Sequence, residues 1–239
     1  MPQLESFEMG DVRFTLDIRA GKERGVSKDG NFVLVKTDAF LQFYRTLQQR
    51  KLENILEIGM LEGGSLVLFD KLYEPKKLVG VDIRRDPIEP LEKYRENREH
   101  IVPFYGLSQN APELSNVLEK EFQDGIDLIV DDASHQYEPT RATFHMCFPL
   151  LKPGGLYVIE DWSWSHKPPH QTSDHPWFEK PALTNLVMEL MINMPDSQQM
   201  NRVTAYRDLV VVEKAAIATG AINLDDGHDR LRGRKLDRI

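Results

Sequence analysis

Cysteine is nearly absent from the sequence, which contains only Cys147. One cysteine cannot form a disulfide within the chain, so a disulfide-stabilised framework is excluded. Cys147 lies in the apolar stretch 144–151, and we expect it to be a small buried residue. The fold must therefore rely on a hydrophobic core, for which 239 residues and a hydrophobic share of 41% suffice.

Long apolar runs are also lacking. No stretch approaches the length needed to span a bilayer, and residues 1–10 lack the apolar run of a signal peptide. These absences predict a cytoplasmic location and no membrane partner.

Positive charge is in deficit, because 30 Lys and Arg residues face 38 Asp and Glu residues, for a net charge of −8. Binding to nucleic acid needs a concentrated basic surface, so no nucleic-acid partner is expected. A basic run near the end of the sequence is interpreted as a solvated tail. It consists of Arg230, Arg232, Arg234, Lys235 and Arg238.

Strand-like and helix-like segments alternate from about residue 38 to residue 214. Continuous apolar strands joined by helices are typical of a parallel sheet covered on both faces. The last two strands are separated only by Arg207-Asp208, so they must form an antiparallel hairpin. The pattern predicts an α/β, Rossmann-like fold with a mostly parallel seven-stranded sheet and a C-terminal antiparallel β-hairpin. The predicted strands are 54–58, 78–83, 101–105, 126–130, 156–159, 202–206 and 209–213, and the predicted helices are 38–49, 65–72, 89–98, 113–122, 138–150 and 182–194.

Three segments follow from this pattern. Residues 1–36, interrupted by four glycines, are predicted to be an irregular N-terminal arm, residues 37–214 the α/β domain, and residues 215–239 a polar C-terminal tail. The arm could cover a site or join a homo-oligomer, and the residues leave both open.

The turn after the first predicted strand of the domain has glycines but does not suit a phosphate. The dinucleotide fingerprint needs glycine where this turn has Leu61, and Glu57 and Glu62 would repel a pyrophosphate. Acidic groups instead suit a ligand that carries an ammonium and a sulfonium, which favours S-adenosylmethionine (SAM) over NAD. Candidate cofactor-binding residues in and near the turn are Glu57, Gly59, Gly63 and Ser65.

Two later positions extend this candidate cofactor site. Asp82 ends the second strand of the domain, where a carboxylate can accept hydrogen bonds from ribose hydroxyls. Ser108 follows the third strand and either contacts adenine or caps the next helix.

With these residues in place, segment 54–161 resembles the SAM-binding core of class I methyltransferases. Glu57-Ile58-Gly59 corresponds to the first motif, and Asp82 to the ribose-binding acid. The sequence departs from the usual motif, because Leu61 and Gly63-Gly64 replace its later glycines.

Acidic pairs end two further strands. Asp131-Asp132 follows one, Glu160-Asp161 follows the next, and neighbouring strands lie about 4.8 Å apart. Two like charges at about 5 Å repel by roughly 3 kcal/mol at an effective dielectric near 20. A hard divalent cation, Mg²⁺ above all, would offset this cost, since it prefers oxygen ligands. The alternative is that some of these acids cap helices or face water, and Asp131 could instead bind the cofactor.

His135 lies three residues after Asp132, in the turn to the next helix. An imidazole there could remove the proton of a hydroxyl as that oxygen attacks a methyl group. The segment Asp131-Asp132-Ala133-Ser134-His135, together with 151–161, resembles the Mg²⁺-dependent sugar O-methyltransferases of natural-product pathways. The resemblance implies metal ligation by Asp132, Glu160 and Asp161, with Asp132 and His135 as catalytic residues and a hydroxyl of a small molecule, a glycoside or other secondary metabolite, as acceptor.

The loop 162–177 leaves the fifth strand beside this candidate site and contains three tryptophans and three histidines. It is a candidate acceptor pocket, since aromatic rings can stack on a sugar. A packed surface loop is the alternative, and a zinc site at His166, His170 and His175 is a weaker one.

Three other functions stay open on the sequence alone. The chain could be a metal-independent methyltransferase or a catalytically silent protein that binds SAM or a partner protein. An NAD(P)-dependent enzyme is disfavoured by Leu61 and Glu57.

Overall fold

The computed structural model describes residues 4–19, 21–217 and 222–225 together with 232 and 234. By contacts the chain forms two compact units, Met1–Ser108 and Gln109–Ile239, which are described in turn. The strands are β1 (Ser6–Met9), β2 (Val12–Leu16), β3 (Asn31–Leu34), β4 (Asn54–Ile58), β5 (Lys77–Asp82), β6 (Ile101–Tyr105), β7 (Ile126–Asp131), β8 (Leu151–Glu160), β9 (Met200–Ala205) and β10 (Leu209–Lys214), and the helices are α1 (Asp38–Thr46), α2 (Gly64–Tyr73), α3 (Glu89–Arg95), α4 (Glu113–Glu121), α5 (Tyr137–Cys147) and α6 (Thr184–Asn193).

The first unit contains β4, β5 and β6 as parallel neighbours. Their side chains are apolar and fully buried at positions such as Ile55, Leu78 and Val81, as expected for strands covered on both faces. Helix α1 buries Phe40, Leu41 and Tyr44 on one side, as its apolar spacing predicts.

The first unit also shows that the expectation of an irregular segment 1–36 was wrong. Residues 6–34 include a three-stranded sheet, in which β1 pairs with β2 antiparallel and β2 pairs with β3 parallel. The strands are only four or five residues long, so their alternation is too short to stand out between the glycine turns. Val12, Phe14 and Phe32 are buried in this small sheet.

The second unit begins its sheet with β7 and β8 in parallel, followed by β10 and β9 in antiparallel order. The C-terminal hairpin is therefore confirmed. The fifth strand is longer than the predicted 156–159, because residues 152–155 also belong to β8. They oppose Asp127 at a bulge where the register shifts from Ile126↔Leu151 to Leu128↔Leu156.

Seven strands form one mostly parallel sheet with the order β6-β5-β4-β7-β8-β10-β9. The predicted seven-stranded Rossmann-like fold is confirmed, and the helices lie within a few residues of their predicted bounds. Cys147 is fully buried, also as expected.

The expectations on membrane-spanning helices and on the C-terminal tail can be compared only with the described residues. No helix among them is long and apolar enough to cross a membrane. The predicted tail 215–239 is described only at 215–217, 222–225, 232 and 234, so Arg230, Lys235 and Arg238 of the basic run lie outside the described residues.

Gly64, the first residue of α2, packs so closely on β3 that a Cβ atom would lie 2.1 Å from the carbonyl oxygen of Val33. We therefore expect Gly64→Ala to lower the free energy of unfolding by about 1–3 kcal/mol, despite the better helix propensity of alanine. Chemical denaturation measures this loss. Gly21→Ala is the control, since no atom lies within 4 Å of that position and only the left-handed φ of +57° is penalised. An equal or smaller loss for Gly64→Ala would contradict the close packing.

Candidate functional site

The glycine turn after β4 is built from left-handed backbone. Gly59 has a φ of +94° and Gly63 of +74°, and Gly63 directly precedes α2. Leu61 also adopts a left-handed φ of 48°, and its side chain is 44% exposed. This backbone conformation costs a non-glycine residue about 1–2 kcal/mol. Leu61 thus stands where the usual motif has glycine and still adopts a conformation that glycine favours.

Asp82, at the end of β5, braces this turn. Its Oδ2 accepts hydrogen bonds from the backbone N–H groups of Met60 at 2.8 Å and Leu61 at 2.9 Å. Its Oδ1 accepts from the N–H of Arg84 at 2.8 Å. The predicted ribose acid therefore fixes the shape of the turn, and its contact with ribose stays a prediction.

The other predicted cofactor residues of the first unit occupy the expected strand and helix ends. Glu57 is fully buried in β4, and Ser65 is 8% exposed in the first turn of α2. Ser108 lies half-buried in the loop between β6 and α4. Glu62 accepts a hydrogen bond from the N–H of Ser27 at 3.1 Å, so the N-terminal segment contacts the turn.

In the second unit, Asp132, His135 and Asp161 form a compact cluster. One ligand atom from each side chain lies within 4.8 Å of those of the other two, and Asp132 Oδ1 is 3.9 Å from His135 Nε2. Among the described residues no other group of His, Cys, Asp or Glu side chains meets this spacing. The structure thus brings together three of the four residues to which the sequence analysis assigned metal binding or catalysis.

Two members of the cluster have strained backbone. His135 and Asp161 each have a φ of 54°, a region that costs side-chain-bearing residues about 1–3 kcal/mol and is found most often at functional sites. The Asp161 N–H donates to the carbonyl of Asp208 at 2.7 Å, which ties the end of β8 to the β9–β10 turn.

Glu160 lies outside this cluster, although it precedes Asp161 directly. Glu160 is the last residue of β8 and is 1% exposed, whereas Asp161 follows the strand in left-handed backbone and is half-buried. Burial raises the pKa of Asp161, and the nearby charge of Glu160 adds to this, while His135 opposes it. The assignment of Glu160 as a metal ligand stays a prediction.

Beneath the cluster, Asp131 is buried in a hydrogen-bond network. Its Oδ2 accepts from the hydroxyl of Tyr157 at 2.8 Å, and its Oδ1 accepts from Gln109 Nε2 at 3.5 Å. Gln109 Oε1 in turn accepts from the N–H of Ser134 at 3.1 Å. Burial raises the pKa of Asp131 to about 7, against the lowering effect of Tyr157 and of the Ala133 N–H. Asp131 therefore supports the turn between Asp132 and His135 from within the core, and its predicted cofactor contact stays a prediction.

The loop after β8 packs its aromatic side chains together. Trp164 lies 4.5 Å from His135 between ring centroids and 6.2 Å from Trp177, to which it is stacked. His170 and His175 lie 4.4 Å apart within the same group. His166 is hydrogen-bonded to Thr184, and the three loop histidines form no metal-spaced group among the described residues. The zinc alternative gains no support from this geometry.

Strand order and strand-end residues together define the class I methyltransferase fold. Residues 56–162 match the family model described as a methyltransferase domain, and this segment includes both the glycine turn and the acidic cluster. This segment of the chain is therefore similar to a methyltransferase domain.

Curated relatives and solved structures agree with this class. Demethylmacrocin O-methyltransferase of Streptomyces fradiae is 32% identical over 131 residues, which cover 52% of this chain and 30% of the relative. The 8-demethyl-8-α-L-rhamnosyl tetracenomycin-C 2′-O-methyltransferase of Streptomyces olivaceus is 31% identical over 142 residues, with 56% and 35% covered. The chain thus spans about a third of the length of these relatives.

One similar solved structure is the MycE methyltransferase of the mycinamycin pathway, in complex with Mg, SAH and mycinamycin VI. It has a TM-score of 0.57 and 24% sequence identity to this chain. The match covers 76% of this chain and 50% of MycE. The O-methyltransferase of Bacillus cereus in complex with SAH has a TM-score of 0.53 and 18% identity, covering 75% and 82%. These likenesses show the shared fold.

Sequence reasoning missed the supporting role of Gln109 and Tyr157. Gln109 belongs to the polar segment 106–110 in which only Ser108 was singled out, and its contacts depend on folding. Tyr157 is a polar-tipped residue within an otherwise apolar strand, and this was the available signal, since a buried tyrosine hydroxyl needs a partner.

Tyr157→Phe tests the network, because it removes only the hydroxyl that donates to Asp131. We expect a loss of stability of about 1.5–3 kcal/mol and faster amide hydrogen exchange at Ala133 and Ser134, whose N–H groups bond to this network. Tyr94→Phe is the matched control, since Tyr94 donates to Asp70 at 2.6 Å in the first unit. Unchanged exchange at the turn in Tyr157→Phe would contradict the supporting role.

Proposed function

We propose that this protein is a SAM-dependent O-methyltransferase that transfers a methyl group to a hydroxyl of a small molecule with the help of a divalent metal ion. The observation that carries the proposal is the cluster of Asp132, His135 and Asp161 at the ends of two parallel strands in a methyltransferase domain. Two carboxylates and an imidazole at this spacing can hold a cation, orient a hydroxyl and accept its proton.

Donor binding is assigned to the first unit. The turn carries no side chain at the left-handed residues Gly59 and Gly63, and Glu57 and Asp82 supply the negative charge that suits a cationic donor. SAM, when bound, supplies a methyl group on a positively charged sulfur. The solved relatives that contain SAH support this assignment.

The donor atoms of the cluster decide how well Mg²⁺ fits. Mg²⁺ prefers carboxylate oxygens and keeps several waters, whereas imidazole suits softer divalent metals. Asp132 and Asp161 therefore fit as its ligands, with Glu160 as the predicted third acid. His135 fits better as the base beside them. A bound Mg²⁺ would lower the pKa of an acceptor hydroxyl.

The reaction is a displacement in which the bond between the methyl carbon and sulfur breaks as the bond between that carbon and the acceptor oxygen forms. His135 takes the hydroxyl proton, so the products are a methyl ether, the neutral thioether of the donor and a protonated imidazole. Asp132, 3.9 Å from His135 Nε2, stabilises this imidazolium. The left-handed backbone at His135 holds the ring at this place.

The acceptor is proposed to be a glycoside of a secondary metabolite. The named relatives act on a macrolide and on a rhamnosyl tetracenomycin, and the aromatic loop after β8 offers ring faces on which a sugar can stack. The net charge of −8 makes nucleic acid an unsuitable acceptor.

His135→Ala is expected to lower kcat about 100- to 10,000-fold, the usual contribution of a general base, while SAM binding stays unchanged. Methylation of a rhamnosyl tetracenomycin acceptor is followed by mass spectrometry, and SAM binding by calorimetry. His145→Ala is the matched control, since His145 lies on α5 outside the cluster and should keep full activity. Full activity of His135→Ala would remove this residue from the mechanism.

Metal dependence separates the proposal from its rivals. EDTA should abolish turnover and Mg²⁺ restore it, and Asp132→Asn should need more Mg²⁺ for half-maximal activity. Activity that persists in EDTA would favour the metal-independent methyltransferase. SAM binding without turnover of any glycoside would favour the catalytically silent protein, and preferential binding of NAD(P) would refute the donor assignment.

A further inference from the structure

Trp164 lies outside the Asp132–His135–Asp161 cluster and contacts two of its members, His135 and Asp161. The Trp164 N–H donates to the Asp161 carbonyl at 3.1 Å, which closes a turn at the end of β8. Burial raises the pKa of Asp161, and a hydrogen bond from the Trp164 side chain acts to lower it. On its other side, the indole lies against the His135 ring at 4.5 Å between centroids, with an angle of 46° between the planes.

Trp164 is itself held from the loop side. Its indole is stacked on Trp177 at 6.2 Å and lies 5.9 Å from His170. Lys167 lies over the same indole, with Nζ at 5.9 Å, and forms an ion pair with Asp208 at 3.2 Å. The indole therefore connects the acidic cluster to the aromatic group of the loop.

These contacts matter most for Asp161 and His135, because both have strained left-handed backbone. A side chain in such a conformation keeps its direction only when its surroundings hold it there. Trp164 holds both residues, one through hydrogen bonds and the other through ring packing. Groups that hold a ligand in this way typically contribute 10- to 100-fold to metal affinity.

We propose that Trp164 is a positioning residue that presents Asp161 to the metal ion, holds His135 beside it as the base, and links the metal site to the aromatic acceptor loop. The inference rests on the proposed metal site and assigns no chemistry to the indole itself. It makes metal affinity depend on a tryptophan that is not a ligand.

The test measures the binding of Mn²⁺ alone to the full chain by electron paramagnetic resonance, with no donor or acceptor present. Trp164→Leu removes both the ring and its N–H group and should weaken Mn²⁺ binding about 10- to 100-fold. Trp164→Phe keeps a ring against His135 and loses the donor to Asp161, so its loss should be intermediate.

Trp177→Phe is the matched control. It changes the same residue type in the same loop, and its ring contacts Trp164, His170 and His175 but no member of the cluster. It should bind Mn²⁺ as the wild type does. Thermal unfolding and SAM binding, followed for each variant, identify any variant that fails to fold.

Each outcome separates this inference from the proposed function. Wild-type affinity in a folded Trp164→Leu protein would overturn the positioning role and leave the metal site intact. An equal loss in Trp177→Phe would also overturn it, because the effect would then come from loop packing. If the wild type did not bind Mn²⁺, the metal site itself would be refuted. SAM binding would still test the assignment of the donor site.

Discussion

The repulsion between the carboxylates of Asp132 and Asp161 is the constraint on which the second unit depends. Like charges at about 5 Å repel by roughly 3 kcal/mol at an effective dielectric near 20, and burial adds a desolvation cost that already raises the pKa of Asp161. His135 opposes this repulsion only in its protonated form. Without a cation, this repulsion lowers the stability of the fold. A divalent cation bound between the carboxylates would attract both and stabilise the fold instead.

Two adjacent acids, Asp131 and Asp132, serve this constraint in opposite ways. Asp131 is 2% exposed and bound to Tyr157 and Gln109, whereas Asp132 is half-buried and faces the cluster. The difference arises where the strand ends, since Asp131 is the last residue of β7 and Asp132 is the first residue after it. Because Gln109 also accepts from the Ser134 N–H, the buried Asp131 is linked to the turn that follows Asp132. Stability and site geometry are therefore coupled in this region, and a substitution in the core would also change the geometry of the cluster.

The sequence predicts the fold from 38 to 214 well, because its strands are continuous apolar runs and its helices are amphipathic. The same reasoning fails for β1, β2 and β3, which are too short for a period to emerge, and for 152–155, where a bulge extends β8 through two glycines. Both failures concern strand pairing, which depends on tertiary contacts that the sequence pattern does not show.

The candidate site was also only partly predictable from the sequence. Asp132, His135 and Asp161 could be found from the sequence, because strand ends bring acidic motifs together and a turn residue lies three positions away. The placement of Glu160 outside the cluster could not, since it depends on a left-handed residue at the very next position. The contacts of Gln109, Tyr157 and Trp164 could not either, because a hydrogen bond across the core or a ring contact leaves no pattern along one chain.

In the first unit, Asp82 shows how one carboxylate can serve both the turn and its ligand. An ionised carboxylate offers about four acceptor positions, and three are already taken by the N–H groups of Met60, Leu61 and Arg84. A ribose hydroxyl must use the remaining position or displace one of these amides. Displacing the Leu61 N–H would release a strained residue, so the predicted ribose contact would change the shape of the glycine turn. Asp82 is therefore the group that organises the glycine turn in this protein.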